Sequence, residues 1–122
     1  MVEKVNLAFD YAVAAGPVML SIAIGDGQIG GSALSLDGTA IGPQGTITNL
    51  KIGNGPALVA KKLSAKTLVA PVNDDTSFTS VTYTLTGGAT HPPFTFSHEL
   101  QNPGDGVQYV MTINFVAANG GL

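Results

Sequence analysis

The chain has no cysteine, no tryptophan and no arginine, and it carries little charge of either sign. Without cysteine there are no disulfides, no thiolate zinc sites and no thiol nucleophile, although the compartment stays open. All five basic residues are lysine and the formal net charge is −3. Arginine supplies the bidentate contacts to phosphate and guanine that nucleic-acid-binding proteins favour, so no nucleic-acid partner is expected. Charged residues make up 11% of the sequence, less than half of the roughly 25% usual in a soluble domain. Mean hydropathy is +0.30, yet apolar runs such as Val18 to Ile24 fall far short of the roughly 20 residues that a transmembrane helix needs. The opening MVEKVNL lacks the basic and then apolar regions of a secretory leader. A soluble protein without a membrane partner is expected, in a compartment that the sequence does not name.

What is present is alternation. Val5, Leu7, Phe9, Tyr11 and Val13 alternate with smaller or polar residues, and Val107, Tyr109, Met111, Ile113 and Phe115 do the same near the other end. Successive side chains of a strand point to opposite faces, so each segment reads as a long strand with one apolar face. The third long strand is Thr76 to Thr86, with Val81, Tyr83 and Leu85 inward. Shorter candidates are 18–24, 32–36, 46–52, 67–72 and 94–98. Gly and Pro punctuate the gaps, as at Asp37-Gly38 and Gly53-Asn54-Gly55-Pro56, because they supply the backbone angles of chain reversals. About eight strands at this spacing predict one all-β domain over 1–122. An antiparallel β-sandwich is expected, jelly-roll-like or immunoglobulin-like in topology, with a closed barrel as the alternative. Residues 56–66 (PALVAKKLSAK) hold good helix formers after a proline suited to a first helical turn. A short helix and a strand pair are both compatible with this segment.

The most suggestive motif is Gly25-Asp26-Gly27-Gln28-Ile29-Gly30, a literal G-x-G-x-x-G after an apolar run. Such a loop binds a pyrophosphate only where a helix N-terminus follows it. Here alternating Ala33-Leu34-Ser35-Leu36 follows, then Asp37-Gly38. The motif therefore reads as a hairpin turn, and no cofactor is expected. His91, His98 and Glu99 form the most reactive cluster and would be the centre of a small hydrolase or metal-dependent enzyme. On a strand, however, His98 and Glu99 point to opposite faces, and two histidines are too few for the usual catalytic zinc site. Asp74 and Asp75 lie in a turn-rich loop that could contact a ligand, and turn chemistry also explains them.

The scarcity of charge leaves a surface that association would cover. Val110, Thr112 and Val116 lie on the outer face of the last strand, and they are the expected interface. The leading expectation is a non-enzymatic binding or assembly module that acts as a homo-oligomer, with itself as partner and a small ligand or another protein as further candidates. A structural subunit of a surface layer or virion is a second form of the same reading.

Overall fold

The computed structural model describes residues 2–73, 75–88, 94–102 and 105–117. Among these residues nine strands build two sheets: β1 (Val2–Val13), β2 (Pro17–Ile24), β3 (Ile29–Leu36), β4 (Thr39–Gly45), β5 (Ile47–Asn54), β6 (Lys62–Ala70), β7 (Phe78–Thr86), β8 (Phe94–Glu99) and β9 (Gly106–Ala117). One short helix, α1, spans Gly55–Leu58. The larger sheet has the order β1-β9-β6-β3-β4 and the smaller one β5-β2-β7-β8. Neither closes on itself, so the architecture is a sandwich and the barrel alternative is set aside. All ladders are antiparallel except β1 with β9, which run parallel from Val2 opposite Gly106 to Val13 opposite Ala117. The first and last strands share no hairpin, so no tight turn dictates their direction.

The inward registers meet in one core. Tyr11, Tyr83, Tyr109, Phe115 and Leu20 are fully buried, with Val13, Leu63, Val69, Val81 and Ile113 around them. The segment over 56–66 divides. Pro56 sits in the single helical turn, and Leu58 plugs the end of the sandwich at 2% exposure. From Lys62 the chain is a strand, because Leu63, Ala65, Thr67 and Val69 alternate inward with Ser64, Lys66 and Leu68. Burying four side chains on a pleated face outweighs local helix propensity. Strand β4 had no counterpart among the expected strands, since Gly42, Pro43 and Gly45 interrupt its alternation.

Two Asp-Gly turns share a backbone conformation and differ in outcome. At Asp37-Gly38 both residues have positive φ (48° and 86°) and the strands on either side pair as a hairpin. At Asp26-Gly27 both are again positive (58° and 71°), but β2 and β3 belong to different sheets. The expected hairpin at the glycine motif is therefore a crossover between layers. Gln28, 6% exposed, holds it: its Nε2 donates to Phe78 O at 3.1 Å and its Oε1 accepts from Asn73 N at 2.8 Å.

No helix of the described residues is long and apolar enough to cross a membrane.

Candidate functional site

Strand β8 lies at the edge of the small sheet and β1 at the edge of the large one. Alternation turns Phe94, Phe96 and His98 inward, where Phe94 stacks on Phe9 of β1 with ring centroids 4.0 Å apart. One step further along, His98 Nε2 meets Glu3 Oε1 at 2.7 Å. The Glu3 carboxylate also accepts from Gln101 N at 3.0 Å and Asn102 N at 3.4 Å. These contacts hold its acidity below the ordinary carboxylate range, with the His98 hydrogen bond as the largest cause and partial burial opposing it. Nearby Asp105 is buried, and its Oδ2 accepts from Asn102 Nδ2 at 3.4 Å.

Glu99 faces the other way. Its Oε2 accepts from Ser77 Oγ at 3.1 Å, so His98 and Glu99 do not converge on one ligand. His98 is instead paired with a carboxylate 95 positions away in sequence. His91 and Asp74 lie outside the described residues. Asp75 is exposed, and its backbone N–H is capped by Asn73 Oδ1 at 3.1 Å, while Asn73 Nδ2 donates to Asp26 O at 2.9 Å. This is turn chemistry that ties two loops together. Among the described residues, no three His, Asp or Glu side chains gather to hold a metal ion.

The Glu3–His98 pair is a strap between sheet edges. A carboxylate that accepts from an imidazole and two backbone amides is held as the charged form and is poorly suited to take a proton from a substrate. Sequence reasoning overlooked Glu3, although a signal existed: it sits in register with Val5, Leu7 and Phe9, and a carboxylate on an inward face needs a partner.

The second candidate is the outer face of the large sheet. Across the ladders Asn6, Val110, Lys66 and Ala33 form one row, and Ala8, Thr112, Ser64 and Ser35 the next. Val110 and Thr112 are half-buried by these neighbours, and Val116 is 38% exposed. At one end of the face Val2, Ile29 and Leu68 are each more than half exposed. They stand around Gly106, Gly31 and Ala70, which offer at most one methyl group to cover them. Beside Leu68 a shallow groove of about 510 Å³ runs over Gly30, Gly31 and Gly45, with Lys66 and Gln108 on its rim. Only Lys4, Asp10, Lys62 and Lys66 bring charge to the described part of this face. The expected trio of Val110, Thr112 and Val116 thus lies on the second of five strands, within a much wider surface. Ile29 was overlooked because the expected strand began at 32, and Leu68, inside the expected strand 67–72, was assigned to neither face.

No family model, curated protein or solved structure matches the chain.

Proposed function

We propose that the protein is a non-enzymatic assembly module that acts as a homo-oligomer, with the outer face of its five-stranded sheet as the self-contact. The observation that carries this reading is the composition of that face. Among the described residues it spans five strands, bears four charged side chains, and leaves Val2, Ile29 and Leu68 in water. Contiguous apolar area of this kind is uncommon on monomers and marks association sites. Among the described residues β1 and β4 are its two edge strands, a further place for another chain to pair. A structural subunit, as in a surface layer or virion, is the setting that uses whole sheet faces in this way.

The test is the solution mass. Light scattering after gel filtration is expected to give a mass above 12.3 kDa, the mass of one chain. Val110→Lys is expected to weaken association by about tenfold or more, since a lysine buried without a partner is costly. Its far-ultraviolet circular dichroism is expected to remain that of the parent. A parent protein that stays monomeric at the highest accessible concentration would remove this function.

A further inference from the structure

Resting on that reading, we infer the geometry of the self-contact: an isologous face-to-face dimer whose two-fold axis runs across the strands at the level of Met111, so that each strand lies over its own copy. Sheets packed in aligned fashion keep their strand directions within about 30° of each other, which leaves axes across the strands or along them. Register fixes what each axis superposes. The rows of Val110 and Thr112 are flanked by Lys4, Gln108 and Leu68 on one side and by Asp10, Asn114 and Lys62 on the other. Rotation at the level of Met111 exchanges the two inner rows with each other and the two outer rows likewise. It sets Lys4 of each copy over Asp10 of the other, twice by symmetry. Within one copy these residues stand about 20 Å apart along β1, too far to pair. Lys62 comes over Leu68, where its alkyl stem covers the exposed leucine. At the ends Val116 comes over Gly106 and Val2 over Ala12, so exposed valines meet small residues.

Other axes fail on the same map. Across the strands, an axis at the row of Val110 stacks Lys66 on its own copy, and one at the row of Thr112 stacks Lys66 on Lys62. Like charges brought together in a drying interface oppose association. Axes at Tyr109 or Ile113 leave two rows uncovered and pair no opposite charges. Along the strands, β6 is the middle of the five, and rotation about it stacks Lys62 and Lys66 each on its own copy. Rotation about β9 does set Asp10 over Lys62, but it covers only β1, β9 and β6. An axis between two strands covers four at most and pairs no opposite charges. On the described face, the axis at Met111 is the one that covers all five strands without setting lysine on lysine.

The area suffices. Ten residues of rise at ~3.3 Å and five strands at ~4.8 Å give roughly 600–800 Å² per copy, since β3 and β4 are shorter than β1 and β9. An ordinary stable interface buries ~800 Å² per partner. Lys66 comes over Ser64 and keeps its place on the rim of the groove beside Gly30, Gly31 and Gly45, through which its ammonium reaches water. The contact is closed: both copies use the same face, and further growth must use a different surface.

Charge reversal and cross-linking test the geometry. Lys4→Glu and Asp10→Lys each turn two attractive contacts into repulsive ones and are expected to raise the dimer dissociation constant about tenfold at low salt. The combined Lys4→Glu/Asp10→Lys protein is expected to return to within about threefold of the parent, because the pairs are restored with reversed sign. Both side chains are exposed, so folding is expected to survive. As a second measurement, Ala8→Cys on β1 and Ala40→Cys on β4 each give the chain a sole thiol on an edge strand, in the row of Thr112. Each lies about 12 Å from its own copy, two residues along the strand and one sheet separation away. A short bis-maleimide is expected to link both variants into covalent dimers. An axis along the strands can bring at most one of these two edges over its own copy. A parent that associates, with single reversals that change nothing or a double reversal that restores nothing, overturns this geometry and leaves the assembly reading standing. An associating Ala8→Cys or Ala40→Cys protein that does not cross-link does the same. A strictly monomeric parent overturns both.

Discussion

Three tyrosines sit in the core, and two of them, Tyr83 and Tyr109, differ in hydrogen bonding so that replacing their hydroxyls is expected to give results of opposite sign. Tyr109 Oη donates to Thr79 O at 3.1 Å and lies 2.7 Å from Thr79 Oγ1. Tyr83 Oη is buried and, among the described residues, has no partner in hydrogen-bond geometry. Thr67, whose presence eases ionisation of Tyr83, has its hydroxyl bonded to Ser32 Oγ at 2.7 Å. A buried hydroxyl without a partner costs ~1–3 kcal/mol, whereas a satisfied one contributes ~1 kcal/mol net. Removing a single oxygen leaves little void. Tyr83→Phe is therefore expected to stabilise the protein by about 1 kcal/mol, and Tyr109→Phe to destabilise it by about 1–2 kcal/mol. The second loss also leaves Thr79 Oγ1 with His98 O, at 3.1 Å, as its remaining partner. For a chain of this size each kcal/mol moves Tm by about 3–5 °C. Urea unfolding followed by circular dichroism measures both, with the slope unchanged and the midpoints moving in opposite directions. If Tyr83→Phe is as costly as Tyr109→Phe, the hydroxyl has a partner and the reasoning about an unsatisfied core group is wrong.

Burial pushes the Tyr83 phenol up to about 12 from the ordinary 10.0. The folded state thus favours the neutral phenol, and its contribution is complete below pH 10 and lost as pH rises towards 12. The two-unit difference corresponds to about 3 kcal/mol; alkaline unfolding is expected within that window, with tyrosinate absorbance rising together with loss of structure. Absorbance that rises fully while the fold persists would contradict it. Glu3 is lowered by His98 and by the backbone amides of Gln101 and Asn102, so its contribution is present above the ordinary carboxylate pKa and lost as pH falls through the lowered value. Glu3→Gln is expected to lower Tm at neutral pH and to flatten its fall on acidification. An unchanged acid limb would show that the strap between β1 and β8 does not matter to stability.

Much of the fold was legible because side-chain alternation is a local property. The inward faces of β1, β7 and β9, the burial of all three tyrosines and the turn at Asp37-Gly38 follow from residues that are neighbours in sequence. Where the local pattern was weak, boundaries slipped. Gly42 and Gly45 obscured β4, and the helix formers around Lys61 and Lys62 obscured the start of β6. Of the candidate sites, the outer face of β9 was visible as apolar residues in an outward register. The Glu3–His98 strap was not, since its halves lie at opposite ends of the chain.

The sequence by itself determined which residues face inward, because a strand of L-residues has only two faces and burial of apolar area selects one. The tertiary structure alone decided which layer each strand joins and which strands are neighbours. The same left-handed Asp-Gly conformation returns the chain on itself at Asp37-Gly38 and sends it across the sandwich at Asp26-Gly27. The difference lies in Gln28, which binds Asn73 and Phe78 from distant parts of the chain and so ties the crossover in place. The parallel pairing of β1 with β9 likewise joins the two ends of the domain. Such choices are made when the two sheets close over a shared core, and their energies reside in contacts between residues that no local pattern connects.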